Sequence, residues 1–452
     1  MGNDNERIIT LLRRAEERDR VWLEKYGHVK NLVTWKWKDH RIVCVGSDIH
    51  YGREWKSFHD FLLDYIWILC DQNWVMRQYE LEVAQRHVVL QWHDSLKRFT
   101  ENSSRDEFGF YKGEVCGACR SILDLSYDLY TLRHHQRLQD RVLQRLFYSR
   151  GQFQGARHEL FAAATVIRAG MEIDFEDESD LSSKHLEFTA IDKVRSQVWG
   201  IEAKSKHRHG ALGFSTETKK INSKPGVKEL LLKAQKKSDE HPLVVFVDLN
   251  LPGSQTSEEL NDRYRDVVHE VGALYDGDVQ ETPFNLLVFT NSAAHYNLND
   301  TDFGNREIFF MQSSNPLHAN VNIGSLNAIS RATTQWGQVP TFFPDEEYAD
   351  GFRSPTELFN FANALVEREV ESLLQHQRLQ GPCLTSMSEI RSRKFEIRLW
   401  TVQELTDIGP EESVSFHLGD ALELVQSIDP THQIAVAVAD LEGNSMLFRK
   451  TF

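Results

Sequence analysis

Val198-Trp199-Gly200-Ile201-Glu202-Ala203-Lys204 is the stretch on which the reading of this 452-residue chain turns. Side chains alternate along a strand with period two. Glu202 and Lys204 therefore leave the sheet on one face, and Trp199, Ile201 and Ala203 on the other. A carboxylate holds a hard divalent cation through oxygen, and an ammonium beside it steadies an attacking water or the charge of a phosphate. Charged residues two apart are common on solvated strands, so this pair draws its meaning from its surroundings.

Upstream, Lys184-His185-Leu186-Glu187-Phe188-Thr189-Ala190 reads as a second strand, and the polar run Asp192 to Gln197 suits a hairpin between the two. That pairing sets Glu187, Glu202 and Lys204 on one face. Leu186 and Phe188 join Trp199, Ile201 and Ala203 on the other. Before it, Arg157 to Ala169 is a run of strong helix formers that ends at Gly170, where a left-handed residue stops a helix. Glu159 near its start is the acid this helix can aim at the strand pair, although an acid there is also favoured by the helix dipole alone. Asp174 and Asp180 are rival acids if the strand lies elsewhere. Gly226 to Gln235 reads as a further helix and Leu243 to Leu249 as a buried strand.

The succession α-β-β-β-α-β, with Glu159, Glu187, Glu202 and Lys204 at these places, resembles the PD-(D/E)xK nuclease superfamily and its restriction-endonuclease-like core. The resemblance spans roughly residues 150 to 250. It departs from the family pattern at Glu187, which stands where Asp is usual and has no Pro before it. What the resemblance implies is metal-dependent hydrolysis of phosphodiester bonds, as an endonuclease acting on DNA, with RNA as the alternative substrate and a restriction or anti-phage setting by analogy. Mg²⁺ or Mn²⁺ is the implied cofactor, held by Glu187, Glu202, the backbone carbonyl of Ala203 and Glu159, with Lys204 positioning water and stabilising charge on the phosphate. Gln235 is an accessory candidate, or a polar helix-face residue. The competing class is a non-catalytic module that uses the same fold to bind nucleic acid or a partner.

The net charge of −15 excludes a protein coated in basic surface, but the charges are unevenly placed. Residues 193–237 hold twelve Lys or Arg against three Glu, whereas residues 172–192 hold eight acids and one lysine. An acidic pocket with a basic rim is what a phosphate-cleaving metal site needs. Lys206, Arg208, Lys219, Lys220 and Lys224 are the expected nucleic-acid contacts, Lys206 and Arg208 continuing the line of Lys204 and the others lying in a loop. An apolar content of 40% with 26% charged residues indicates a soluble globular chain. The longest apolar run, Tyr65 to Cys70, is too short to span a bilayer, and neither a secretory nor a myristoylation pattern opens the chain, so a cytoplasmic protein without membrane contact is expected. Five cysteines make no disulfide framework, and the lone Cys116-Gly117-Ala118-Cys119 reads as packed small residues at a helix start.

The expected architecture is α/β in three parts: a helical domain over 1–148, the nuclease-like core over 149–298 and a C-terminal α/β region over 299–452. The aromatic stripe Trp55 to Trp74 belongs to a helical core, Arg41 to Val45 is a short strand-like interruption, and the pair His134-His135 reads as solvated. This first domain is the expected surface for a protein partner or a second copy. Thr256 and Glu259 form a capping box before a helix, and Asn285 to Thr290 is a strand that can extend the sheet. Residues 299–344 carry no assignable pattern. Ser354-Pro355-Thr356-Glu357 opens a helix, and the chain closes on strands near 433–438 and 446–448 around a turn at Glu442-Gly443-Asn444.

Overall fold

The computed structural model describes the chain except residues 1–19, 31, 38–39, 47, 106–114, 137–138, 176–185, 209–211, 213–223, 236–240, 276–281, 303–305, 344–394, 402–413, 417–433, 440–444 and 451–452. Residues 20–26 form helix α1. Strands β1 (Val33–Trp37), β2 (His40–Val45) and β3 (Asp48–Gly52) follow. Next come α2 (Phe58–Ile68), α3 (Gln72–Tyr79), α4 (Val88–Glu101), α5 (Gly117–His135) and the short α6 (Asp140–Leu143), which runs into a π-turn at Gln144–Tyr148. Helix α7 (Phe153–Arg168) leads to β4 (Glu172–Phe175), β5 (Phe188–Asp192) and β6 (Gln197–Ser205). Then come α8 (Lys228–Ala234), β7 (Leu243–Asp248), α9 (Ser257–Tyr275), β8 (Leu286–Asn291), β9 (Glu307–Gln312) and α10 (Ile323–Thr334). Strands β10 (Phe395–Thr401), β11 (Val414–Phe416), β12 (Ile434–Ala439) and β13 (Ser445–Lys450) close the described chain.

The chain divides into two compact units, residues 1–30 with 56–341, and residues 31–55 with 342–452. These are not the boundaries near 148 and 298 that the sequence suggests. Helices α2 to α5 share a unit with the main sheet because α5 packs directly on α7. Asp128 and Arg168 pair at 2.5 Å between these helices, both nearly excluded from solvent. The stripe on α2 is core as expected, with Phe58 and Phe61 fully buried and both edge-on to Tyr130 of α5. His134, expected in solvent, is buried and stacks on Tyr130. Apolar periodicity marks which helix face is buried but not against what.

The smaller unit contains the antiparallel sheet β1-β2-β3 and the four-stranded sheet β11-β10-β12-β13. The strand-like piece at 41–45 is thus β2 with a partner on each side, and the two terminal strands pair antiparallel with Val438 opposite Met446. The expected helix opened by Ser354 and the turn at 442–444 lie outside the described residues.

The larger unit is mixed α/β, built on the six-stranded sheet β4-β5-β6-β7-β8-β9. Strands β4, β5 and β6 form an antiparallel meander, β6, β7 and β8 run parallel, and β9 returns antiparallel. Parallel neighbours need a crossover, which α8 supplies between β6 and β7 and α9 between β7 and β8. Residues 299–344, unreadable as a pattern, contain β9 and α10. On one face, Val245, Val247, Leu287 and Phe289 pack with Leu230 and Leu231 of α8 and Val267 and Val271 of α9. On the other, Phe161 of α7 meets Phe246 edge-on at 6.1 Å and Trp336 at 4.5 Å. Gly170 closes α7 at φ 83°, as its position in the sequence implied. Among the described residues, no helix is long and apolar enough to cross a membrane.

Candidate functional site

Strand β6 is central, and this changes the environment of its charges. Its parallel register places Glu202 beside Val245 and Lys204 beside Val247, in the row that α8 and α9 cover. The face expected to be polar is therefore largely apolar, and Glu202 has no solvent exposure. A charge so placed must be paired, because desolvation disfavours it strongly.

The β5–β6 hairpin brings the second acid to it. Asp192 is buried at the turn, where it accepts from the backbone N–H of Arg195 at 3.1 Å, from Arg195 Nη1 at 2.9 Å and from Ser325 Oγ at 2.7 Å. Ser196 completes the turn at φ 53°. At the other end, Phe188 is the last registered partner, opposite Ile201, and the backbone N–H of Glu187 still donates to Ile201 O at 3.2 Å. Continuing that register by one residue places Glu187 opposite Glu202. Glu187 sits just before the strand rather than inside it, and Lys184 and His185 lie outside the described residues.

Lys204 joins the two carboxylates. Its ammonium donates to Glu187 Oε1 at 3.1 Å and to the carbonyl of Ala203 at 3.3 Å, and it pairs with Glu202 Oε1. Three oxygens thus converge on one positive charge. Burial works to lower the pKa of Lys204, but Glu202 and Glu187 outweigh it and hold it above the ordinary lysine value. The side chain is a cation at neutral pH, suited to charge stabilisation and not to proton abstraction.

Glu159 stands apart from this convergence. It faces out of α7 into a fork formed with Arg145, whose Nη1 and Nη2 each donate to one carboxylate oxygen at 2.5 Å. Its pKa is raised, first by burial and next by the charge of Glu187, so the two acids lie within each other's field. Among the described residues, no group of three or more His, Cys, Asp or Glu side chains is arranged to hold a metal ion. The oxygens that do gather are two carboxylates and a carbonyl.

Arg145 is a residue that motif reading missed. It comes from the π-turn before α7, and no local pattern links it to an acid 14 positions on. His207, just past the end of β6, also belongs to this neighbourhood. A Cβ built on Gly155 would lie 3.8 Å from Glu159 Oε1, 3.8 Å from His207 Nε2 and 3.9 Å from Arg145 Nη2. Below the site, Asp248 at the end of β7 ties α7 to the sheet. It accepts from Arg157 Nη2 at 3.0 Å and from Ser205 Oγ at 2.9 Å. Burial alone would raise its pKa, but Arg157, His158 and Ser205 together hold it below the usual carboxylate range.

Among the described residues, Lys206 and Arg208 do not continue a line of exposed charge from Lys204. Strand β6 ends at Ser205, and Lys206 Nζ donates to Gly226 O at 3.0 Å. Arg208 is buried, its guanidinium donating to the carbonyls of Leu249 at 3.0 Å, Lys224 at 3.0 Å and Pro225 at 3.2 Å. It latches the segment before α8 onto the end of β7. Lys224 is exposed, whereas Lys219 and Lys220 lie outside the described residues. Gln235 caps α8 and accepts from Tyr275 Oη at 3.2 Å, which places it in the packing of α8 against α9. The rival Asp174 is exposed on β4 opposite Thr189, and Asp180 is outside the described residues. Cys116 is buried at the start of α5, and burial pushes the Cys119 thiol up to about 12, so Cys119 is not an activated thiol. Comparison with protein-family models, with curated proteins and with solved structures gives no match for this chain.

Proposed function

We propose that the chain is a metal-dependent nuclease of the PD-(D/E)xK type that hydrolyses phosphodiester bonds in DNA. One observation carries the reading: the ammonium of Lys204 rests where Glu187, Glu202 and the Ala203 carbonyl converge. Oxygen donors around a positive charge are the donor set of Mg²⁺ or Mn²⁺, and thiolate and imidazole are absent from it. The order α7-β4-β5-β6-α8-β7 and the mixed sheet support a restriction-endonuclease-like core.

The residues fit the implied cation. Glu187, Glu202 and the Ala203 carbonyl would hold it, and Glu159 would join them on leaving Arg145. Bound there, a divalent ion supplies Lewis-acid activation of the phosphate and lowers the pKa of a bound water. Lys204, which these acids keep charged, would remain beside them. It orients the attacking water and offsets the negative charge that gathers on the phosphate. Burial of Glu202 excludes bulk water from the floor of the site, which strengthens each of these interactions.

Incubation of the purified chain with linear DNA, circular DNA and RNA, each with and without Mg²⁺, tests the proposal. Cleavage that needs the metal and is lost in Glu187→Ala is expected. Absence of cleavage of every substrate with Mg²⁺ and Mn²⁺ overturns it, and cleavage of RNA alone reassigns the substrate.

A further inference from the structure

Gly155 is the anomaly of helix α7. It lies in the first turn, half-buried, on the face shared with Glu159 one turn later. Glycine in a helix is unfavourable relative to alanine because it loses more backbone freedom on folding. Nothing around it requires this loss. An added Cβ would meet its nearest atoms only at 3.8 to 3.9 Å, ordinary contact distances, and the φ of Gly155 is not positive. Alanine would fit the fold and favour the helix, so packing does not account for the glycine. The three atoms around the empty position are Glu159 Oε1, His207 Nε2 and Arg145 Nη2. They are a carboxylate, an imidazole and a guanidinium, and the carboxylate and guanidinium lie within the field of Glu187.

Arg145 has the right chemistry for a second partner at this point. A guanidinium presents two parallel N–H donors whose spacing matches a carboxylate and a phosphate equally well. In the free protein that fork is closed on Glu159. The pair is a fifth exposed on each side, so an incoming anion can reach the guanidinium from solvent. Arg145 is also carried by a π-turn, a rare backbone form that recurs at functional sites.

We infer that Arg145, His207 and the bare backbone at Gly155 form a notch for a nucleic-acid backbone phosphate next to the one cleaved, with Arg145 exchanging Glu159 for that phosphate. The inference rests on the nuclease reading above and adds to it a separate binding element. The chemistry of the ligand is a phosphodiester anion lying close against α7, where a methyl group would intrude. The exchange also frees the Glu159 carboxylate at the moment substrate arrives. Released from Arg145, the Glu159 carboxylate is then available to the neighbouring Glu187 site.

Binding without metal separates this element from catalysis. The full chain and its variants are titrated in EDTA against a fluorescein-labelled DNA duplex and the RNA duplex of the same sequence, across a salt series, with thermal melting in parallel. Gly155→Ala is expected to weaken binding about tenfold while melting no lower than the parent. Arg145→Ala is expected to lower the slope of log K against log salt by about one, the loss of one phosphate contact, and Arg145→Lys to keep the slope but not the full affinity. The DNA and RNA arms show which polynucleotide supplies the phosphate. Wild-type affinity in Gly155→Ala overturns the notch, as does weaker binding that comes only with a lower melting temperature. If those results accompany Mg²⁺-dependent cleavage by the parent, the nuclease reading stands and the notch falls. If Gly155→Ala weakens binding but no metal supports cleavage, the notch stands as a binding site and the hydrolytic reading falls. A parent chain that binds neither duplex overturns the notch.

Discussion

Lys204 Nζ lies 3.1 Å from Glu187 Oε1, a contact made across the β5–β6 hairpin by residues 17 positions apart. The same ammonium neutralises Glu202, which is wholly buried. Lys204 is thus both the proposed catalytic cation and the counter-charge that lets an acid sit inside the sheet.

Lys204→Ala is therefore expected to cost stability as well as activity. Removing one partner of a buried ion pair leaves an uncompensated charge and costs about 3–5 kcal/mol. Urea unfolding should show that loss, and Glu202→Gln, which removes the charge but keeps the shape, should show a smaller one. Equal stability of Lys204→Ala and the parent would mean that Glu202 is not held by this pair.

Metal binding should depend on Glu187. Calorimetric titration of Mn²⁺ into Glu187→Ala is expected to show affinity lowered by at least about tenfold, since loss even of outer-shell partners commonly costs that much. Unchanged affinity would move the ligand to Asp174 or Asp180.

Arg208→Ala separates a latch from a nucleic-acid contact. Its guanidinium is committed to three backbone carbonyls. Hydrogen bonds to charged groups are each worth about 1.5–3 kcal/mol, so the variant should melt at a lower temperature. The salt dependence of duplex binding should not change. A flatter salt dependence at unchanged stability would return Arg208 to the substrate path.

Acid should destabilise the larger unit through buried histidines. Burial lowers the pKa of His87 and His158 from 6.5 to about 4, and of His295 to about 3. Each binds its proton more weakly folded than unfolded, so the unfolded chain is protonated first. Stability is then complete above pH 6.5 and falls as the pH drops toward 4, by up to about 1.4 kcal/mol per pH unit for each histidine. Denaturant midpoints between pH 7 and 4 would measure the slope, and His158→Asn should make it shallower.

A fragment beginning at Gly151 should not fold. It lacks Asp128, the partner of the buried Arg168, and it lacks the α5 surface on which α7 packs. A soluble fragment with a cooperative melt would show that the sheet and α7 stand without those helices.

Features that depend on near neighbours are legible in the chain. The strand order around the Glu-x-Lys stretch, the stop at Gly170 and the capping box are local. In that box Glu259 N–H donates to Thr256 Oγ1 at 3.2 Å and Thr256 N–H to Glu259 Oε2 at 3.3 Å. Such features follow from backbone propensity and from hydrogen bonds a few residues apart. Alternation also brought Glu187, Glu202 and Lys204 together, because a hairpin keeps facing residues on one side.

The rest follows from packing in the folded chain. That the Glu202 face is covered by α8 and α9, that Arg208 is a latch, and that Arg145 reaches Glu159 all depend on packing between segments distant in sequence. The same holds for the union of the helices with the sheet in one unit and for β1 and β3 on either side of β2. A charged side chain carries the same letter whether it meets water, a carbonyl or a carboxylate. Desolvation and the partner that offsets it choose among these, and both are properties of the folded chain.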